Sequence, residues 1–207
     1  MSKGLVGQGR SADVYAVGDD GRWVLRRYRD GGGTAREARL MARLAAAGYP
    51  VPAVREAAGP DLVLERLRGP SLMDALLAGA YEPEAAGVLL AGLHALPGRV
   101  VHLDLHPGNV VLAEDRGPVV IDWRTAEEDA EPGLDRAMSA LILAEVAVSA
   151  APHAPGARAG LAALLAASAG PLRLADARAR RAADPHLTAA EVGALGAAEE
   201  LVRSLTG

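Results

Sequence analysis

The chain has 207 residues, a formal net charge of −4 and no cysteine. Such a length suits one domain, or one domain of two lobes, that buries roughly 70% of its unfolded surface. The missing cysteine excludes disulfide frameworks, thiolate zinc sites and thiol nucleophiles, and mild acidity without a long basic stripe argues against bulk nucleic-acid binding.

The first third reads as strands and turns. Apolar pieces at 4–8 and 13–18 flank the loop Gly7-Gln-Gly9-Arg10-Ser11-Ala12. Asp19-Asp20-Gly21 is a hairpin signal, and the stretch WVLRRYR from Trp23 alternates as a strand does. Thr34-x-x-Glu37 has the pattern of a helix capping box, and the helix it opens stops at Gly48. Pro50 and Pro52 force extended backbone. A second hairpin then turns at Gly59-Pro60 and ends in DLVLERL, residues 61–67.

Beyond Gly69 the spacing of apolar residues becomes helical. Ser71 caps one helix, and EPEAAGVLLAGLHAL from Glu82 forms another. The stretch VVHLDLHPGNVVL, 100–112, interrupts them with polar, irregular residues between apolar flanks. Two short strands follow about Arg116-Gly117, and Asp135 is expected to cap a long apolar helix. That helix, the most apolar part of the chain, is interrupted by Glu145 and falls short of the ~20 residues a bilayer span requires. No apolar signal core follows the start. A cytoplasmic protein without membrane association is expected. The run Arg178-Ala-Arg180-Arg181 reads as a solvated helix face, and Thr188-x-x-Glu191 caps the last helix. The fold class expected is α+β, a small antiparallel sheet lobe over residues 1–67 and a larger helical lobe over 68–207.

Three groups of residues carry chemistry. Gly7 and Gly9 allow backbone N–H groups to approach phosphate oxygens, although a plain turn between two strands explains them equally well. Strand alternation puts Val24 and Arg26 on one face, where a cation beneath the glycine loop meets phosphates; two solvated arginines are the simpler alternative. Glu37 either pairs with Arg26 or only closes the capping box with Thr34. The third group is His102-x-Asp104-x4-Asn109, followed by Asp122 after Val119-Val120-Ile121. Asn109 and Asp122 are hard oxygen donors suited to Mg2+, which takes few protein ligands and leaves the rest to substrate phosphates. Asp104 is placed to accept a hydroxyl proton. Burying such groups without a compensating cation is costly.

The order of glycine loop, strand cation, helix glutamate, His-x-Asp-x4-Asn and terminal Asp resembles the protein-kinase-like fold. It is closer to the aminoglycoside phosphotransferase and choline-kinase-type branch. His106 in Asp104-Leu-His-Pro-Gly-Asn109 and Ile121-Asp122-Trp123 in place of Asp-Phe-Gly carry that closer likeness, which covers most of residues 4–145. The resemblance implies a bilobal kinase-like fold that uses ATP and Mg2+ to phosphorylate a hydroxyl of a small molecule. It makes Asp104 the base, Asn109 and Asp122 the metal ligands, Arg26 the phosphate cation and Glu37 its helix partner. The backbone of Glu65-Arg66-Leu67 would bind adenine, with Val14 and Val24 over the base, and Asp135 would steady the catalytic loop.

Two features depart from that pattern. Arg26 replaces a lysine, and the body is short. A nucleotide-binding pseudokinase acting as scaffold or sensor is therefore the alternative. A protein kinase ranks third, given His106 and Trp123. The acidic run Glu127-Glu128-Asp129-Ala-Glu131 would attract an amine, an aminoglycoside or choline among them, unless it is a solvated loop.

Overall fold

The computed structural model describes residues 2–9, 11–131 and 133–207, without the side chains of residues 2 and 3. Its elements divide into two units. Residues Met1–Gly69 group with Val111–Arg124, and Pro70–Val110 with Thr125–Gly207. Backbone bonds tie 111–124 to the first stretch. Glu114 N donates to Arg68 O at 2.9 Å and Val120 N to Pro50 O at 2.9 Å.

The first unit is built on an antiparallel sheet of β1 (Ser2–Gln8), β2 (Ala12–Val17), β3 (Trp23–Tyr28), β4 (Val54–Ala58) and β5 (Asp61–Glu65) in the order β1-β2-β3-β5-β4. One helix, α1 (Ala35–Ala46), joins β3 to β4. Its buried residues Glu37, Leu40, Met41 and Leu44 recur at three and four, one face of a 3.6-residue period. A carboxylate thus sits on the stripe that faces the interior. Thr34 occupies the N-cap position but makes no side-chain cap bond. Its hydroxyl instead donates to the carbonyls of Gly59 at 3.1 Å and Asp61 at 3.0 Å. The capping box between Thr34 and Glu37 is therefore not formed, and Glu37 is released for other partners.

The short strands β6 (Val110–Ala113) and β7 (Gly117–Val120) pair about the 114–116 turn. Trp123 follows, fully buried, with its indole N–H donating to Val120 O at 2.9 Å and its ring edge-on to Tyr49, centroids 5.6 Å apart. A buried indole with its N–H satisfied anchors the segment after β7 that carries Asp122.

The second unit is helical: α2 (Leu72–Leu77), α3 (Pro83–Leu93), α4 (Leu134–Ala147), α5 (Ala154–Ala167), α6 (Leu174–Ala182) and α7 (Ala189–Thr206). Ser71 and Thr188 cap their helices as expected, each in a capping box, with Asp74 and Glu191. The helix α4 packs on α5, α6 and α7, and α3 packs on α5. At Gly87 of α3 an added Cβ would lie 2.1 Å from Gly160 O of α5, so only glycine permits that approach. Glu145, a charge within α4, is half of a two-contact pair with Arg181 at 2.8 and 3.1 Å. The basic run on α6 is accordingly not a free solvated face. Arg178 pairs with Glu199, Arg180 with Glu127 and Arg181 with Glu145. Asp135 lies in the first turn of α4 but does not cap it; Gly133, at φ 85°, holds that place. No helix among the described residues is long and apolar enough to cross a membrane.

Candidate active site

In the first unit, Arg26 on β3 is buried, and its two terminal nitrogens meet different carboxylates. Nη1 donates to Glu37 Oε1 at 3.2 Å and Nη2 donates to Asp122 Oδ1. Glu37 collects two more donors, the Tyr28 hydroxyl at 2.5 Å on Oε2 and the Trp123 backbone N–H at 3.2 Å on Oε1. The Tyr28 ring lies against the guanidinium groups of Arg26 at 4.8 Å and Arg124 at 4.0 Å, a placement that cation–π attraction favours. Arg124 in turn donates to Asp30.

The protonation states follow from this crowding. Burial opposes the charge on Arg26, but Asp122 and Glu37 outweigh it and hold the guanidinium above its ordinary value. Burial raises the Glu37 carboxyl above its ordinary value, and Arg26 and Tyr28 offset only part of that. Burial likewise pushes the Tyr28 phenol far up, which keeps it a proton donor to Glu37. Asp122 itself is more than a third exposed and adopts φ 64°. A left-handed aspartate costs on the order of 1 kcal/mol, a strain that recurs at functional positions.

The glycine loop connects β1 to β2, with Gly9 N donating to Ala12 O at 2.9 Å; Arg10 within it lies outside the described residues. Neither Gly7 nor Gly9 has positive φ, and a Cβ at either would make only ordinary contacts, 3.8 Å to Val14 Cβ and 3.6 Å to Ala12 O. Local packing therefore does not require glycine at these two places. Val14 pairs with Arg26 across β2 and β3, and Val24 pairs with Leu64; both are half-buried. Glu65 ends β5, and its side chain is committed to Arg116 at 2.8 and 2.7 Å. The backbone of Leu67 makes no hydrogen bond among the described residues.

In the second unit, the loop from His102 to Asn109 is held from several sides. Asn109 Nδ2 donates to Asp104 Oδ2 at 3.0 Å and to Asp104 O at 2.9 Å. That fixes which way the amide faces and leaves Asn109 Oδ1 without a partner among the described residues. His106 Nδ1 accepts from Gly108 N at 3.0 Å, which places its proton on Nε2, the nitrogen 3.8 Å from Asp104 Oδ2. His106 thereby caps the short turn Pro107–Asn109. His102 Nδ1 accepts from Asp104 N at 3.3 Å, and its carbonyl accepts from the Thr125 hydroxyl at 2.9 Å.

Behind the loop, Asp135 Oδ1 accepts from Leu103 N at 2.7 Å, and Oδ2 lies 3.1 Å from His94 Nδ1. Burial works against the Asp135 charge, yet His94, His102 and the Leu103 N–H hold its carboxyl below the ordinary value. One helical turn on, the Ser139 hydroxyl donates to Leu105 O at 2.6 Å. Leu103 has φ 65°, strained for a branched side chain, and its N–H bond to Asp135 is what pins it. His94, Ser139 and Tyr28 escape a motif reading. Ser139 is legible only as the residue four after Asp135 on one helix face.

Two of the four acids in the acidic run are paired within their own unit. Glu127 pairs with Arg180 at 2.7 Å, and Glu131 with Arg99 and Arg173 at 3.4 and 3.7 Å.

Comparison with known proteins agrees with this anatomy. The sheet-plus-helices architecture is the α+β bilobal protein-kinase-like fold, and the model of the phosphotransferase enzyme family matches residues 5–100 and 78–186. The chain belongs to that family and is on that ground a phosphotransferase. No curated protein matches it.

Proposed function

We propose that the protein transfers the γ-phosphoryl group of ATP, with Mg2+, to a hydroxyl of a small molecule. Bound at the site, Mg·ATP would supply the phosphoryl group and the divalent charge that offsets its phosphates. Phosphoryl transfer asks chiefly for positioning and charge neutralisation. Asp104 takes the proton from the acceptor hydroxyl. Asn109 and Asp122 are the metal-holding oxygens, and their donor chemistry fits: Asn109 Oδ1 is left open by the two bonds its amide nitrogen makes, and Asp122 keeps an exposed carboxylate in a strained backbone conformation. Arg26, tied to Glu37, faces the phosphates, and the backbone of Gly7 and Gly9 approaches them; neither glycine is demanded by local packing. The open backbone of Leu67 supports the adenine role of 65–67, with Val14 and Val24 over the base.

The observation that carries this reading is the orientation of the Asn109 amide by the Asp104 carboxylate within one short loop. The test is a turnover screen over hydroxylated amines, sugars and aminoglycosides with Asp104→Ala as the blank. Asp104→Ala binds nucleotide as the native chain does and loses about 10^2- to 10^4-fold in turnover. Transfer retained by that variant refutes the base assignment.

One observation favours the alternative of nucleotide binding without transfer: Arg26 already engages the Asp122 carboxylate. Thermal stabilisation by Mg·ATP with no turnover on any acceptor supports that reading. Arg26→Lys separates the two, since a shorter point-charge cation frees Asp122 and raises turnover if the contact is inhibitory.

A further inference from the structure

We propose a second ligand site, for a small phosphate-bearing polyanion, in the first unit. Its walls are the turn before β3, the segment after β5 and the β6–β7 turn, around a cavity of about 580 Å3. That volume falls within the ~300–1,000 Å3 usual for small-molecule sites. Arg22, Arg66 and Arg68 line it, and none of the three forms an ion pair among the described residues. Arg116 lines it too, but its guanidinium is taken by Glu65 at 2.7 Å and approached by Asp115 at 3.7 Å. Glu114 is the remaining acid on the wall. Arg22 is drawn to the Glu65 carboxylate through space, so two unengaged guanidinium groups, Arg66 and Arg68, with Arg22 beside them, border one cavity against one unpaired carboxylate among the described residues.

The cations are carried on fixed backbone. Arg66 N donates to Arg22 O at 2.9 Å, Glu114 N donates to Arg68 O at 2.9 Å, and Glu65 N donates to Ala53 O at 2.9 Å. Holding like charges around one space is unfavourable until an anion bridges them. Planar guanidinium forks match phosphate oxygens, and several together favour a ligand with two or more phosphates over a single small anion.

The cavity is not the face that carries Arg26. Trp23 lines it and stands three residues before Arg26 on the same strand. An odd offset places the two side chains on opposite faces of the sheet. The cavity does share residues 65–67 with the segment assigned to adenine. A bound polyanion would thus alter nucleotide affinity, a consequence that rests on the phosphotransfer reading, whereas the binding itself does not.

The test is calorimetric titration of inorganic pyrophosphate into the full chain at low salt. Native protein is compared with Arg66→Ser, with Arg66→Ser/Arg68→Ser and with Arg26→Met. The arginines of the cavity are exposed, so the Arg66 and Arg68 variants keep the fold. Arg26→Met, by contrast, removes a buried ion pair and is used only where circular dichroism shows it folded. Pyrophosphate binds the native chain, weakens about tenfold in the single cavity variant and further in the double, and is unchanged by Arg26→Met. No binding to the native chain, equal binding by the cavity variants, or loss confined to Arg26→Met overturns the proposal.

Discussion

The Arg26 cluster and the 102–109 loop both place oxygen-bearing side chains, yet they differ in what holds them. In the first, the groups with assigned chemistry hold one another: Arg26 is clamped by Glu37 and Asp122, and Glu37 by Arg26, Tyr28 and Trp123. In the second, Asp104 and Asn109 bond to each other, but the backbone that carries them is also held at Leu103 and Leu105 by Asp135, itself met by His94, and by Ser139, residues with no assigned chemistry. A site that supports itself must lose stability whenever its chemistry is altered. One propped from behind allows the reactive residue and its support to be separated by mutation.

The contrast is broken most severely at Asp135. Replacing it by alanine strands the Leu103 N–H and the buried His94, and about 3–5 kcal/mol of stability is lost in urea denaturation. A loss below about 1 kcal/mol would mean that the loop does not depend on its backing. Glu37→Gln should cost less, about 1.5–3 kcal/mol, since Arg26 retains Asp122.

The pH dependence sharpens the same comparison because its sign differs between the regions. The folded-state carboxyl of Glu37 titrates above its unfolded value of 4.5, so the folded chain holds that proton longer. Its contribution is present below pH 4.5 and is lost as pH rises through the folded value. The carboxyl of Asp135 titrates below its unfolded value of 3.8. Its contribution is present above 3.8 and is lost as pH falls through the folded value. Denaturation followed across acidic pH should show Glu37→Gln removing the first slope and Asp135→Asn the second.

Smaller effects follow. Ser139→Ala leaves the Leu105 carbonyl unpaired and costs about 1 kcal/mol. Arg116→Ala, which breaks a partly exposed pair with Glu65, costs no more than about 1 kcal/mol by the same denaturation assay.

Element order was legible because turn chemistry and apolar period agree along most of the chain: the helix caps at Ser71 and Thr188, the Gly59-Pro60 hairpin and the strand pair about Arg116 are as the residues imply. Thr34 misled because its hydroxyl had backbone carbonyls from the β4–β5 turn within reach, partners distant in sequence. The signal that resolves Glu37 was nevertheless present: it shares the buried stripe of Leu40, Met41 and Leu44, and a carboxylate there requires a donor. Asp135 has the sequence position of a cap because it begins a helix, whereas its carboxylate turns back to a loop more than thirty residues earlier. The pairing of 111–124 with the first unit is a tertiary fact that no local pattern carries.

The most direct measurement is the affinity for ATP with and without Mg2+, in the native chain and in Asp122→Ala. Native protein should bind Mg·ATP at least about tenfold more tightly than metal-free ATP, and Asp122→Ala should lose that difference. Equal affinity in both conditions for the native chain, or a metal preference that survives in Asp122→Ala, contradicts the account.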